Sequence, residues 1–210
     1  MTSKHVYVVD DDAEVRRSLH FLLSTAGYVS WPFSCASDFL ENVENLQPAP
    51  ILLDIRMPHL DGIALMNQLH VQEIKWPIIV MTAYADISIA VAAIKLGALD
   101  LLEKPLDFKL LETNLQTAFE QLSSIINAQE ITLDACRLYG LLSPREIDVM
   151  AVLMDGCPNK VAAYRLSLSV RTVEMHRANA LQKLHVKSIA EAVRLASEGE
   201  LDIRALTNPG

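Results

Sequence analysis

Residues 6–15 read VYVVDDDAEV, and they combine a β-strand pattern with a run of three aspartates. The four apolar residues show no alternation, which is typical of a parallel strand that is buried on both faces. Asp10, Asp11 and Asp12 follow at once, and such like charges repel each other unless a cation or a helix N-terminus meets them. The stretch therefore predicts a strand followed by a helix, and it leaves open whether the aspartates cap that helix or bind a cation.

The rest of residues 1–124 repeats this strand-then-helix pattern, with Gly27 and Gly97 where two of the helices should end. The predicted strands are 5–9, 28–33, 50–54, 77–82 and 98–102. The predicted helices are about 13–26, 36–45, 62–71, 86–96 and 107–126. Repeated β-α units of this length predict an α/β fold with a doubly wound, five-stranded parallel sheet.

Polar residues lie at the carboxyl ends of four predicted strands. The first strand ends at Asp10 and Asp11, the third at Asp54 and the fourth at Thr82, and the fifth runs into Lys104. Doubly wound sheets bind their ligands at this edge. A capping role explains any one of these residues but explains all of them together poorly, so we expect one shared site.

These residues are of the types that phosphoryl transfer requires. Magnesium binds a few carboxylates together with water and phosphate, and the backbone carbonyl of Arg56 could complete the shell that the three strand-end aspartates begin. Lys104 and Thr82 can meet the charge of a phosphoryl group, and a carboxylate can be the nucleophile. Asp54, alone at the end of the central strand, is the best candidate for that nucleophile.

Four segments, VVDDD, LLDIRMPHLDG, VMTAYAD and GALDLLEKP, resemble the signature segments of two-component receiver domains across about residues 4–122. The resemblance implies a flavodoxin-like fold in which Asp54 accepts a phosphoryl group from a sensor histidine kinase with Mg²⁺ bound. The site residues that it implies are Asp10 and Asp11 for the metal, beside Asp54, and Thr82 and Lys104 for the phosphoryl group. It also implies a cis peptide bond between Lys104 and Pro105.

The main departure from the receiver pattern is Leu101. Receivers carry Tyr or Phe three residues before the lysine, as a rotamer switch coupled to the threonine, so we expect Leu101 to occupy the switch position with a different readout. Tyr84 lies near the site in the sequence, and its role is open. As a hypothesis of mechanism, we expect the 86–104 surface to rearrange and dimerise on phosphorylation, with Val91 and Lys95 as contacts.

A phosphatase of the haloacid-dehalogenase type is the alternative for this half, because it also uses aspartate, threonine and lysine at strand ends. Its nucleophile lies in a D-x-D-x-[T/V] pattern, whereas a reading from Asp10 gives Asp12 and then Glu14. The chain also lacks room for the cap domain of such enzymes. We therefore expect no enzyme, only the self-phosphorylation and autodephosphorylation chemistry of a phosphoaccepting regulator.

Charge is divided unevenly along the chain. Residues 1–124 hold 8 Lys or Arg against 16 Asp or Glu, whereas residues 125–210 hold 10 of each. Within the second half, residues 156–188 carry six Lys or Arg and a single acid, Glu174. A basic segment in a protein of net charge −8 indicates a contact with nucleic acid, and a solvated helical bundle is the alternative.

Residues 143–198 read as four helices, at about 143–155, 159–166, 170–184 and 188–198. Ser143, Pro144 and Glu146 form a helix-start signal with a capping box. The two central helices fit a helix-turn-helix, whose second helix enters the major groove of DNA. The residues that this pair should bury are Val161, Ala162, Leu166, Val170, Val173, Ala180, Leu181 and Leu184.

Residues 142–196 resemble the LuxR-type DNA-binding domain along their whole length, and TVEMHRAN and PNKVAAYRL are closest to the FixJ branch. The resemblance implies that Glu174, Met175 and Ala178 face the bases. The cations that it places on the DNA backbone are Lys160, Arg171, Arg177 and Lys183. The resemblance extends to regulators of aromatic-hydrocarbon catabolism, although no residue identifies the regulon.

Together these features predict a phosphorylation-controlled, DNA-binding transcriptional regulator of a two-component system. Its predicted parts are a receiver at 1–123, a helical linker at 124–138, a LuxR-type helix-turn-helix domain at 139–200 and a tail at 201–210 with little pattern. Its predicted partners are a histidine kinase, a double-stranded DNA operator, a second copy when phosphorylated, and RNA polymerase. With no signal pattern and no apolar run of membrane length, we expect a cytoplasmic protein. The alternative is a constitutive DNA-binding protein whose receiver is merely a dimerisation module.

Overall fold

The computed structural model describes residues 4–83 and 87–205 of the 210-residue chain. The chain divides into two compact units, Met1–Ile125 and Ile126–Gly210. Within the described ranges, no helix combines the length and the apolar character that crossing a membrane requires. The functional boundaries at 123, 138 and 200 stay predictions.

The first unit is an α/β fold built on one five-stranded parallel sheet, as predicted. Its strands are β1 (Lys4–Val9), β2 (Tyr28–Phe33), β3 (Ile51–Asp54), β4 (Ile78–Thr82) and β5 (Asp100–Glu103). Its helices are α1 (Ala13–Thr25), α2 (Ala36–Asn42), α3 (Gly62–Val71), α4 (Ile87–Lys95) and the first part of α5 (Phe108–Gly140). The strand order β2-β1-β3-β4-β5 reverses direction at β1, so the carboxyl ends of β1 and β3 form the switch point of the sheet.

The central strands are apolar throughout because both faces of the sheet are covered. In β1, Tyr7 and Val9 pack into a core shared with α2, α3 and α4, whereas Val6 and Val8 pack into a core shared with α1 and α5. All four side chains are buried. The buried run of β1 ends at Val9, so the polar residues that follow lie at the edge of the sheet.

The second unit is all α-helical. It consists of the last part of α5 and of α6 (Pro144–Met154), α7 (Asn159–Arg165), α8 (Val170–Lys183) and α9 (Ile189–Glu198). The capping box predicted at the start of α6 forms, because Ser143 Oγ accepts from Glu146 N and Glu146 Oε2 accepts from Ser143 N. Glu146 is buried, as its place in the domain core requires.

The predicted linker belongs to α5, which runs without interruption for 33 residues. Residues 108–139 contain neither Gly nor Pro, so nothing in the sequence ends the helix earlier. Residues 201–205, expected to show little pattern, instead fold onto the second unit. Ile203 is buried against its core, and Arg204 pairs with Asp155.

Two of the residues expected to be buried in the helix pair are not. Val161 is 39% exposed and Val170 is 41% exposed, whereas Val173 is fully buried. The seven-residue α7 turns Ala162 and Ala163 toward the core, which leaves Val161 on another face. Val170 is the first residue of α8, at an end of the helix that the core does not cover.

Candidate functional site

The acidic cluster consists of Asp10, Asp11 and Asp54, which lie at the switch point of the sheet. Asp10 and Asp11 directly follow β1, and Asp54 is the last residue of the neighbouring strand β3. One carboxylate oxygen of each residue lies within 4.8 Å of the other two. Asp10 and Asp54 are buried and Asp11 is exposed. Three hard oxygen donors of which one faces solvent fit a hydrated divalent cation such as Mg²⁺.

Lys104 joins the two buried carboxylates of the acidic cluster. Its Nζ lies 2.7 Å from Asp10 Oδ2 and 3.2 Å from Asp54 Oδ1, and its side chain is 17% exposed. Burial alone would lower the pKa of the Lys104 ammonium, but hydrogen bonds and charges from both aspartates outweigh it and raise that pKa above its ordinary value. Lys104 therefore carries a full positive charge at the cluster, and the peptide bond to Pro105 is cis, as the resemblance implied.

Asp54 has the electrostatic surroundings of a reactive carboxylate. Burial raises the pKa of the Asp54 carboxyl, the charge of Lys104 opposes that rise, and the charges of Asp10 and Asp11 add to it. The net result is a pKa above the ordinary value of an aspartate. A cation bound at the acidic cluster would offset the repulsion and favour the carboxylate form that a nucleophile needs.

The loop after β3 reaches its position because residue 62 is glycine. A Cβ built on Gly62 would lie 2.5 Å from the backbone oxygen of Asp54 and 2.9 Å from Cα of Ile55. The Gly62 N–H donates to Ile55 O at 2.9 Å, so α3 begins directly against the strand end. Asp61 caps this helix by accepting from Ala64 N at 2.8 Å. The backbone beside Asp54 thus has no room for a side chain at residue 62.

Asp12 has a different function from the two aspartates that precede it. It is the N-cap of α1, and its Oδ1 accepts from Glu14 N at 2.7 Å. Its own N–H donates to Asp10 Oδ1 at 2.9 Å. The question raised by the DDD run therefore has two answers, since the first two carboxylates belong to the acidic cluster and the third caps a helix.

Sequence reasoning missed Arg16 of α1. Its Nη1 donates to the backbone oxygen of Asp10 at 2.6 Å, so a second cation lies beside the acidic cluster. The available signal was a basic residue four positions after an aspartate triplet, but side-chain direction could not be read from spacing alone.

The other predicted phosphoryl and switch residues lie on the neighbouring strands. Thr82 is fully buried at the end of β4, and Leu101 is a partly buried residue of β5 that packs into the core beside α3 and α4. The exposed Arg56 follows β3. Tyr84 lies outside the described residues.

Part of the exposed side of α4 is apolar. Ile87, Val91 and Ile94 are 81%, 47% and 52% exposed, and their spacing places them on one face of the helix. The exposed Lys95 follows Ile94. The predicted dimer contacts Val91 and Lys95 therefore lie at an apolar stripe, defined here as Ile87, Val91 and Ile94.

The helix-turn-helix consists of α7 and α8. The turn contains Ser167, which has a φ of +54°, and Ser169 caps α8 by accepting from Thr172 N at 3.0 Å. The predicted base-facing residues Glu174, Met175 and Ala178 are exposed. Of the predicted backbone contacts, Lys160 and Arg171 are exposed and Arg177 is half-buried. The fold thus presents most of the predicted DNA contacts to solvent.

Lys183 differs from those cations, because its charge is used inside the second unit. Its Nζ lies 2.7 Å from Glu146 Oε2 and donates to Leu141 O at 3.2 Å. Burial would raise the pKa of Glu146, but hydrogen bonds from Lys183 and Ser143 lower it below the ordinary value. Lys183 thus secures the end of α8 to the start of α6, and its contact with the DNA backbone stays a prediction.

Comparison with known proteins gives matches along both units. The family model described as the response regulator receiver domain matches residues 6–116, and that of the bacterial regulatory proteins of the luxR family matches residues 140–196. The chain is 41% identical over 197 residues to the transcriptional regulatory protein FixJ of Bradyrhizobium diazoefficiens, across 93% of this chain and 96% of that protein.

Two solved structures cover nearly the whole chain. The response regulator StyR matches with a TM-score of 0.83 at 36% identity, across 94% of this chain and 100% of that chain. Full-length FixJ from B. japonicum matches with a TM-score of 0.59 at 39% identity, across 96% of this chain and 100% of that chain.

Proposed function

The chain belongs to the FixJ-like two-component response regulators, in which a receiver domain is joined to a LuxR-type DNA-binding domain, and from this we propose that Asp54 is its phosphoacceptor. Such regulators are controlled by phosphorylation and bind DNA, and they are not classical enzymes. The observation that carries the residue assignment is the buried Asp54 carboxylate held 3.2 Å from Lys104 Nζ at the switch point of the sheet.

The reaction is a transfer between two nucleophiles. A carboxylate oxygen of Asp54 attacks the phosphorus of a phosphohistidine on the partner kinase, and the P–N bond breaks as the P–O bond forms. The imidazole nitrogen keeps the electron pair. Asp10, Asp11, Asp54 and the backbone carbonyl of Arg56 would hold Mg²⁺, which would supply positive charge for the phosphoryl oxygens.

Lys104 and Thr82 contact the acyl phosphate that this transfer forms. Lys104 Nζ already contacts Asp54 Oδ1, so it needs only a small shift to meet an oxygen of the new acyl phosphate. The Thr82 hydroxyl lies at the end of the adjacent strand β4, from which it can donate to another phosphoryl oxygen. The Leu101 side chain is smaller than the aromatic ring of a receiver switch and is partly buried in the core, so we place the readout in the backbone after β4 and in α4.

The kinase docks, in this proposal, at a groove of about 370 Å³ beside Lys104. The apolar residues that line this groove include Val15, Leu19 and Leu106, and the groove reaches the acidic cluster through Lys104, whose Nζ lies 3.2 Å from Asp54 Oδ1. Ser18→Arg would fill the groove from α1, whereas His20→Arg adds the same charge on the side of α1 that faces β2. We expect Ser18→Arg alone to lose transfer from the kinase, with acetyl phosphate still effective on both variants. Equal loss in the two variants contradicts this docking site.

Phosphorylation leads to a dimer through the apolar stripe of α4, with Val91 and Lys95 among the contacts. The stripe presents three large exposed apolar residues on one face. Val91→Glu should therefore stay monomeric after treatment with acetyl phosphate and Mg²⁺, as measured by light scattering. Val71→Glu, at an 80% exposed position of α3, is the matched control and should still dimerise.

The second unit binds an operator in double-stranded DNA, with Glu174, Met175 and Ala178 on base edges. Lys160, Arg171 and Arg177 contact phosphates. One unit makes few such contacts, so pairing two units on a two-fold site supplies affinity through effective concentration. A contact of the bound dimer with RNA polymerase would follow at the promoter.

The central experiment compares the wild type with Asp54→Asn, each treated with acetyl phosphate and Mg²⁺. We expect the wild type alone to gain mass by one phosphoryl group, to dimerise and to bind a DNA site selected from a random pool more tightly. Identical size and DNA affinity in both proteins would favour a constitutive DNA-binding protein, which the family comparison does not support. Phosphorylation retained by Asp54→Asn would move the acceptor to another residue.

A further inference from the structure

Arg16 makes a contact that the phosphoacceptor chemistry does not use directly. Its Nη1 donates to the carbonyl oxygen of Asp10 at 2.6 Å, a short, charge-assisted hydrogen bond. β1 ends at Val9, so this carbonyl belongs to the turn into α1 and not to the strand. The side chain of Arg16 thus reaches back from α1 to close the turn that contains the first two aspartates.

Each polar group of Asp10 has a partner among the described contacts. The Asp10 N–H donates to Phe33 O at 3.2 Å, Oδ1 accepts from Asp12 N at 2.9 Å and Oδ2 pairs with Lys104. The carbonyl oxygen is the remaining group, and Arg16 supplies its donor. Asp10 is fully buried, so a carbonyl that lost this donor would have little access to water.

We propose that Arg16 is a positioning residue for the metal site, because it fixes the Asp10–Asp12 turn so that the Asp10 and Asp11 carboxylates meet Asp54. The inference rests on the proposed function, since it assumes that the acidic cluster binds Mg²⁺. Asp11 is exposed and follows Asp10 directly, so its direction depends on the turn that Arg16 closes.

A test can separate positioning from charge, because the two effects have opposite signs. A positive charge near a cation site weakens cation binding. If Arg16 acted through its charge alone, its removal would therefore tighten Mg²⁺ binding. If Arg16 acts by positioning the turn, its removal would loosen the turn and weaken Mg²⁺ binding. A residue that only supported folding would change the melting temperature and leave the affinity for Mg²⁺ unchanged.

The experiment measures Mg²⁺ binding by titration calorimetry on the full chain, for Arg16→Ala, Arg16→Lys and Arg17→Ala. We expect the dissociation constant to rise about tenfold in Arg16→Ala, in keeping with the loss of a hydrogen bond to a charged group. Arg16→Lys keeps the charge without the planar fork and should fall between Arg16→Ala and wild type. Arg17→Ala is the matched control, since Arg17 is exposed and its described partner is Glu14 at 3.5 Å.

Each outcome has one meaning. An unchanged or tighter dissociation constant in Arg16→Ala overturns the positioning assignment, even when the melting temperature falls. If Arg16→Ala does not fold, Arg16→Met decides the question, because it keeps the aliphatic length without the donor, and an affinity equal to wild type in that variant overturns the assignment. Wild type without Mg²⁺ binding refutes the metal site itself, which is a failure of the proposed function and is distinguishable from the other two results.

Discussion

The acidic cluster and the base-facing side of α8 are built in opposite ways. Asp10 and Asp54 are buried, paired with Lys104 and held by a turn and a strand end. Glu174 and Met175 are exposed on a helix whose other face fills the core. The first site is held by contacts inside the protein, whereas the second consists of side chains that are exposed and available for a partner.

The difference determines what a substitution does at each place. A change in the first unit's site disturbs neighbouring charges and packing, so it alters the free energy of unfolding as well as signalling. A change on the outer side of α8 leaves the fold alone and alters DNA binding.

Lys104→Met should have the largest effect. It removes the cation that neutralises two buried carboxylates, and breaking such a pair costs about 3–5 kcal/mol. The same change relieves competition for the carboxylate oxygens, so added Mg²⁺ should restore part of the lost stability. Chemical denaturation with and without Mg²⁺ measures both effects, and a loss below about 1 kcal/mol would mean that the cluster is more hydrated than its burial indicates.

Gly62→Ala comes next, with an expected loss of about 2–3 kcal/mol in the free energy of unfolding. The new methyl group would meet the backbone of Asp54 and Ile55, so one of the two segments must move. Phosphorylation by acetyl phosphate should slow as well, because Asp54 moves with its backbone. Gly140→Ala is the control, since nothing lies within 4 Å of its Cβ position, and it should be neutral or stabilising.

Glu174→Ala should change specificity without changing the fold. If Glu174 accepts a hydrogen bond from a base, its loss relaxes the preference at one base pair by about 1–3 kcal/mol. Lys160→Ala should instead weaken binding to all sequences and reduce the salt slope by about one ion. Binding to a selected site and to its single-base variants separates the two, and a uniform loss with Glu174→Ala would remove it from direct readout.

The fold and most of the acidic cluster could be predicted from the sequence because local signals agreed there. An unbroken apolar run predicted a strand buried on both faces, and the polar residues after each strand then had to meet at one edge. The positive φ of Gly27 and Gly97 matches their predicted positions at the ends of α1 and α4.

What the sequence could not supply were contacts set by side-chain direction. Arg16 drew no prediction and Lys183 was predicted only as a DNA contact, yet each makes a bond inside its own unit. Val161 read as core from its spacing, but a seven-residue helix offers the core only one narrow face. The extent of α5, by contrast, agrees with the helical character predicted for the linker at 124–138, since no Gly or Pro interrupts residues 108–139.

The smallest expected effect is at Val161, an apolar residue that α7 exposes to solvent. Val161→Thr should change the free energy of unfolding by less than about 0.5 kcal/mol, because the side chain is 39% exposed at a position that the core does not need. The same change at the fully buried Val173 replaces a methyl group in the core with a hydroxyl, and even with a hydrogen bond to the carbonyl one turn earlier it should cost about 1–3 kcal/mol. Urea unfolding of both variants compares them directly. Equal losses would mean that Val161 packs in the core, as its spacing predicts. The core of the second unit would then include the side of α7 that carries Val161.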